Sequence, residues 1–439
     1  MWAFRRNHRN GHKALSYISD GGTNVHTMTA RRVLFIDLAP AAGGSVVSLF
    51  HLVTHLDPAQ YEPVVVLSEQ NPFDRFAGAG ISLVRVQTPQ WQPQPAGAVT
   101  SVRAGRVGGT MRSGRLAGPW HFAGDLRRYR NDVWPLVGPI MAAIERFQPA
   151  IVHLNDNLSL SRPGVIAAWR AGRPAICHCR SFDPPVALDR WLLAPRLAGL
   201  IYISQAVAQQ QSAALATRAA ARVIPNAVDL AEFDSPADSQ ALRAELGVPP
   251  EALLVGSLGR ITAWKGQHIF IDALAHLSQQ HPNVHGVIVG APDQSDGTAY
   301  AESLREQAQQ SGLAERLHFT GPRRDAPQIL AGLDILVHSA VQPEPFGRVI
   351  IEGMAARRPV IASAAGGAAE IISDGETGLL TPPGDAAALA GALDRLLRDP
   401  DERNRLAAAG RRLVEERYQI GTQVAAVQNF YDQLLAGRF

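Results

Sequence analysis

Glu344-Pro345-Phe346-Gly347-Arg348-Val349-Ile350-Ile351-Glu352 is the most informative stretch of this chain. It follows a strand candidate, Ile335–His338, and parallel sheets bind their ligands beyond the carboxyl ends of their strands. Gly347 is expected to start a helix whose N-terminal amides point into a cleft. Glu352 then falls about one and a half turns into that helix, while Glu344 stays in the loop. Two carboxylates placed in this way accept hydrogen bonds from two parts of one ligand, and carboxylates suit vicinal hydroxyls.

Upstream, Gly259-Arg260-Ile261-Thr262-Ala263-Trp264-Lys265-Gly266 follows the strand candidate Leu253–Leu258. Of the 42 basic residues only two are lysines, Lys13 in a polar leader and Lys265 here. In a composition so biased towards arginine, a lysine kept in the body points to a place where a compact ammonium is needed rather than a guanidinium fork. Arg260 and Lys265 flank a short loop before a helix, so two cations and helix amides are expected to converge on a diphosphate. At an effective dielectric near 20, a cation about 4 Å from a phosphate oxygen contributes up to ~4 kcal/mol before desolvation. Such charge would replace a divalent metal, and no metal site is expected.

Strand and helix patterns alternate around both motifs. Arg32–Leu38, Val64–Leu67, Leu83–Val86, Ile151–Leu154, Ala175–His178 and Leu200–Ser204 read as strands of a first unit. Leu253–Leu258, Val284–Val289, Leu317–Phe319, Ile335–His338, Pro359–Ala362 and Gly378–Leu380 read as strands of a second. Strict alternation implies parallel sheets with helices on both faces, and 439 residues exceed one ordinary core. The fold class is therefore α/β, with two Rossmann-like domains facing an interdomain cleft. Residues 1–29 are expected to form a disordered leader, 30–225 the first domain, and 226–418 the second domain. A Pro-, Gly- and Arg-rich stretch, 87–132, reads as a mobile insertion. Residues 419–439 read as a helix packing back on the first domain, and Val223–Asp229 as a hinge. Neither sheet opens on Gly-x-Gly-x-x-Gly, which argues against a dinucleotide cofactor.

With 46% apolar and 18% charged residues the chain reads as soluble and globular, and no apolar run reaches the roughly 18 residues of a membrane span. Cys177 and Cys179 read as buried apolar thiols, which fits a reducing, cytoplasmic setting. The net charge of +3 is uneven: residues 1–135 hold fifteen basic against eight acidic side chains. That imbalance suggests an anionic partner, a phosphorylated acceptor or an acidic membrane surface. No interleaving of aromatic and basic residues supports nucleic acid.

These motifs resemble those of retaining glycosyltransferases of the GT-B fold, in the large nucleotide-sugar-dependent family 4. The resemblance runs from about Arg31 to Tyr418, the insertion excepted, and implies that the first domain, 30–225, binds the acceptor and the second, 226–418, the nucleotide sugar. It rests on Gly259-Arg-x4-Lys265-Gly, Phe319-Thr-Gly321, Glu344-Pro-Phe-Gly347-x4-Glu352, Gly366-Gly367-x2-Glu370, the Gly43-Gly44 loop and Val223-Ile-Pro-Asn-Ala-Val-Asp229. In the last of these, Ala227 replaces the family's usual glycine. The resemblance implies that Arg260 and Lys265 hold the donor pyrophosphate and that Glu352 binds the ribose hydroxyls. Glu344 would lie by the donor sugar, next to the amides of Phe346 and Gly347. Backbone near Thr320–Pro322, including Gly321, would meet the base. Gly43 and Gly44 would admit phosphate or acceptor, and His178, at a strand end, would face the sugar. His153 is a second histidine candidate, and Glu370 reads equally as a helix cap.

The implied activity is metal-independent, cofactor-free transfer of a hexose-type sugar from a nucleotide-diphosphate donor, with retention, to a glycan or lipid-linked acceptor. The implied setting is cell-envelope polysaccharide synthesis, cytoplasmic and peripheral on the inner face of the membrane. A nucleotide-sugar epimerase and a non-catalytic binding subunit stay open as alternatives.

Overall fold

The computed structural model describes residues 30–41, 43–89, 124–215, 217, 219–234, 239–293 and 297–438. The leader, 1–29, and residues 90–123 of the expected insertion lie outside the described residues. Residues 124–133 are helical and run on into the helix Trp134–Phe147.

Seven strands make the first sheet: β1 (Arg31–Asp37), β2 (Tyr61–Ser68), β3 (Ser82–Val86), β4 (Ile151–Leu154), β5 (Ala175–Cys179), β6 (Gly199–Tyr202) and β7 (Ala220–Val223). Their order is β3-β2-β1-β4-β5-β6-β7, and every pair is parallel. The second sheet holds β8 (Leu253–Leu258), β9 (Val284–Val289), β10 (Leu317–Gly321), β11 (Ile335–His338), β12 (Val360–Ser363) and β13 (Leu379–Thr381). Its order is β10-β9-β8-β11-β12-β13, again all parallel. The chain thus has two Rossmann-like sheets. Their strands are near-continuous apolar runs because helices cover both faces.

Alternation along β1 shows how the faces divide. Leu34 and Ile36 join the core beneath the helices Trp134–Phe147 and Leu158–Arg170. Val33 and Phe35 point the other way, into a core shared with the helix Gly44–Thr54 and with Val427, Phe430 and Tyr431. Those last three belong to the C-terminal helix Ile420–Leu435, which lies on the first sheet. Gly199 is a small residue for that reason: a Cβ there would stand 2.8 Å from the Phe430 ring.

β7 falls where the sequence reading begins its hinge. Ala221 and Arg222 are exposed on this edge strand, so it shows no apolar run to read. Beyond it the chain crosses between domains twice, near 224–229 and near 418–420. The crossings are paired: Val228 N–H donates to Tyr418 O at 2.9 Å and Ile420 N–H to Val228 O at 2.8 Å. Among the described residues only Gln148 and Arg357 have positive φ without being glycine. Ala227 therefore does not take the left-handed conformation that would favour a glycine there. Cys177 and Cys179 are buried free thiols, 3.9 Å apart on one face of β5.

Candidate active site

In each sheet strand order reverses beside the first strand, between β1 and β4 and between β8 and β11. A crevice opens at such a point beyond the strand ends. Lys265 follows β8 and Glu344 follows β11, so the two flank the second crevice. They meet there, with Lys265 Nζ donating to Glu344 Oε2 at 2.5 Å. The ammonium also lies 4.4 Å from the centroid of the Trp264 ring.

Backbone contacts hold this pair in place. Gly266 has φ +69°, and a Cβ on it would sit 2.0 Å from Ser339 O. Val341 N–H donates to Trp264 O at 2.9 Å, which docks the lysine loop on the segment after β11. On its other side the Glu344 loop is clasped by the Gly366-Gly367 turn, whose Gly367 N–H donates to Glu344 O at 2.7 Å. A Cβ on Gly367 would meet Phe346 Cα at 2.5 Å. Phe346 is buried, with its ring edge-on to Tyr418, so the side chain anchors the loop and leaves only backbone for a ligand. Gly347, at φ +96°, turns the chain into the helix Arg348–Ala355.

Burial pushes the Glu344 carboxyl up, but Lys265 and the His338 ring, whose Nε2 is 3.2 Å away, outweigh it and hold the group at about 2. A carboxyl depressed on folding stabilises the fold fully above its unfolded value, 4.5, and that contribution is lost as pH falls towards its folded one. The difference in melting temperature between wild type and Glu344→Gln should thus be full at pH 7 and shrink steadily below about pH 4.5. A gap unchanged down to pH 3 would contradict the ion pair.

Glu352 is engaged from the same helix. Arg348 donates to Glu352 Oε1 from Nη2 at 2.7 Å and Nε at 3.1 Å. Its Nη1 crosses to the first domain and donates to Gly44 O at 3.1 Å and Ser48 Oγ at 3.0 Å. A Cβ on Gly43 would meet nothing within 4 Å, and one on Gly44 only Arg348 Cδ at 3.6 Å. The space before that turn is open. Two further contacts tie the carboxyl ends of the sheets together. Ser204 Oγ donates to Pro345 O at 2.6 Å. Glu370 accepts from Gln205 N–H at 2.8 Å and Ala206 N–H at 2.6 Å. Glu370 is thus a helix cap, and the helix it caps belongs to the opposite domain.

Arg260 stands apart from Lys265. Its side chain is 62% exposed and donates to Asp293 at 3.1 Å, so the two cations do not share a partner. Gly321 closes β10 at φ +71° with nothing near a built Cβ, and its carbonyl accepts from Gly290 N–H at 3.0 Å.

His178 is fully buried near the end of β5. Its Nδ1 lies 3.1 Å from His153 Nε2 and 3.4 Å from Arg180 Nη2, while its Nε2 has no partner among the described residues. Burial, with Arg180 beside them, pushes His178 well below its usual value and His153 to about 3. Arg180 also donates to Asn155 at 2.9 Å and Asn226 at 2.7 Å, and Asn155 donates to Asp37 at 2.8 Å. Burial lowers Arg180 to about 10. These groups stand at the ends of β1, β4, β5 and β7, on the first sheet's side of the cleft.

Sequence reasoning overlooked His338, Arg348 and Arg180. Two carried a signal: Arg348 lies inside the quoted motif, and His338 ends its strand candidate much as His178 ends another. A concavity of about 820 Å³ lined by Arg31, Gln60, Asn429 and Asp432 lies at the amino ends of the first sheet's strands, away from these groups.

Two doubly wound sheets meeting through their carboxyl ends define the class of GT-B glycosyltransferases. Residues 42–232 match the family model Glycosyltransferase Family 4, and residues 238–413 match Glycosyl transferases group 1. The chain is a GT-B-type glycosyltransferase assembled from these two halves. It is 29% identical to a 2-deoxystreptamine glucosyltransferase of Streptomyces kanamyceticus, over 65% of this chain and 77% of that one. It is 34% identical to a phosphatidyl-myo-inositol mannosyltransferase of Mycobacterium leprae, over 54% of this chain and 59% of that one. Crystalline Anabaena HepE in complex with UDP and glucose superposes with a TM-score of 0.74 at 27% identity, over 92% of this chain and 99% of HepE.

Proposed function

We propose that the chain moves a hexose from a nucleoside-diphosphate sugar to a hydroxyl of a glycan or lipid-linked acceptor, with retention and without a metal. The observation that carries this reading is the Lys265–Glu344 pair at the second crevice. HepE, crystallised with UDP and with UDP-glucose, supports a nucleotide-sugar donor. Lys265 would leave Glu344 for the donor diphosphate, and Arg260, exposed and held by one carboxylate, would swing in from the rim. Glu352 would take the ribose hydroxyls in place of Arg348. Glu344 would then accept from hydroxyls of the donor sugar.

In this reading the bond from the anomeric carbon to the phosphate oxygen breaks through an oxocarbenium-like state. The acceptor oxygen bonds to the same face, and its proton passes to the departing phosphate oxygen. No protein nucleophile is required, and catalysis consists of charge held in place where charge develops.

The test is a thermal-shift panel of UDP, GDP and ADP sugars, with and without EDTA. One diphosphate series should raise the melting temperature, unaffected by EDTA. Sensitivity to EDTA would overturn metal independence. No shift from any donor would favour a binding subunit over an enzyme.

A membrane-bound acceptor is favoured by one surface of the first domain. Trp134, Trp169 and Trp191 are 52%, 54% and 76% exposed. Arg170 covers the Trp134 ring at 5.1 Å and Arg196 the Trp169 ring at 4.3 Å. Indole and guanidinium side by side suit the headgroup layer of an anionic bilayer. Among the described residues no helix is long and apolar enough to cross a membrane. Vesicles of phosphatidylglycerol should sediment the protein and neutral vesicles should not. Replacing the three tryptophans by serine should release it.

A further inference from the structure

We propose that Tyr431, on the C-terminal helix, is a positioning residue that acts through His153, together with Arg180, to hold the ring proton of His178 on Nε2. The three side chains form one buried line. Tyr431 OH lies 2.6 Å from His153 Nδ1, and His153 Nε2 lies 3.1 Å from His178 Nδ1.

Its direction follows from what each end can do. A guanidinium only donates, so Arg180 Nη2, 3.4 Å from His178 Nδ1, requires that nitrogen to be an acceptor. His153 Nε2 must then donate to it, which leaves His153 Nδ1 as an acceptor. Tyr431 supplies the donor, and its hydroxyl has no other acceptor among the described residues. With both rings neutral, the His178 proton is confined to Nε2, the one nitrogen of the line without a partner among the described residues. A neutral imidazole held this way offers a donor, never a lone pair, to whatever meets Nε2.

Removing the hydroxyl leaves His153 Nδ1 buried and unpaired. Nothing at Nδ1 then fixes the proton of His153, and Arg180 alone still opposes its move to Nδ1, which would turn Nε2 into an acceptor facing His178. His178 must answer by protonating Nδ1 against Arg180, which leaves a lone pair at Nε2. Tyr431 thus acts at a distance, through one intervening ring. Its importance for transfer rests on the reading of His178 as a residue that faces the donor sugar.

The experiment uses full-length protein labelled with ring-¹⁵N histidine, comparing wild type, Tyr431→Phe and Tyr61→Phe. Tyr61 is the packing control. Its ring lies edge-on to Tyr431, 5.5 Å between centroids, and its hydroxyl donates to Asp432 at 2.7 Å, not to His153. Wild type and Tyr61→Phe should show His178 protonated at Nε2, and Tyr431→Phe should show a second population protonated at Nδ1. Tyr431→Phe should also lower kcat several-fold, up to about tenfold, the scale of one misdirected hydrogen bond, with the donor KM unchanged. Unchanged His178 shifts in Tyr431→Phe would overturn the relay, and so would equal losses of kcat in both variants. His178→Ala separates the two claims: full transfer without the ring would refute His178 as a sugar contact, while the nitrogen shifts still judge the relay.

Discussion

Lys265→Ala should lower transfer by about 10²–10³-fold, the usual effect of deleting one preorganised group that meets developing charge. The same change should also destabilise the protein, because it strands a carboxylate. Glu344 is largely shielded, its side chain 12% exposed, with Lys265 and His338 beside its Oε2. Breaking a buried pair from one side typically costs about 3–5 kcal/mol, and His338 would offset part of it. The two effects come apart in the double variant Lys265→Met/Glu344→Gln, which removes both charges together. Its melting temperature should recover most of what Lys265→Ala loses, and its transfer rate should not. If activity returned with stability, Lys265 would be a structural partner of Glu344 and not a ligand of the donor. Lys265→Arg should also fail, since a planar fork cannot stand in for a compact ammonium in this place.

Gly266→Ala should be nearly as damaging to transfer and worse for the fold. The added methyl would lie 2.0 Å from Ser339 O, a backbone atom that no rotamer change can move. Relief requires the lysine loop to part from the segment after β11, which pulls Lys265 away from Glu344. Left-handed φ at a non-glycine residue alone costs about 1–3 kcal/mol, and the clash adds to it. We expect a loss of at least about 2 kcal/mol by denaturant titration, with transfer reduced in parallel. Gly391→Ala is the control: it lies inside the helix Ala386–Arg398 with nothing within 4 Å of a built Cβ. There the same substitution should be neutral or should stabilise by up to about 1 kcal/mol. Equal losses at both sites would refute the contact argument.

The architecture was legible because parallel strands are buried on both faces and announce themselves as apolar runs. Ile151–Leu154, Leu253–Leu258, Val284–Val289 and Ile335–His338 form strands over the spans their residues suggest. β7 was hidden because an exposed edge strand needs no such run. The residues of the second crevice were legible through spacing, Gly266, Lys265 and Glu344 above all. Their present partners were not. Nothing in residue order says that Arg348 reaches the first domain, that Arg260 turns to Asp293, or that Glu370 caps a helix across the cleft. Each of these contacts joins residues from distant parts of the chain, and such proximity arises only once two sheets are folded and docked. The line from Tyr431 to His178 was out of reach for the same reason: its ends are 253 positions apart.

The return of Ile420–Leu435 to the first sheet also has a consequence for synthesis. β1 to β7 are complete once residue 223 has been made, yet one face of their sheet awaits Val427, Phe430 and Tyr431. At roughly 5–20 residues per second, a ribosome takes on the order of ten to forty seconds to reach them. Through that interval Phe35, Ile151, Ile176 and Ile201 lack part of their final cover, while the second domain emerges and folds behind them. The first domain begun is therefore the last one finished. A nascent chain stalled before residue 420 would present an apolar strip to chaperones.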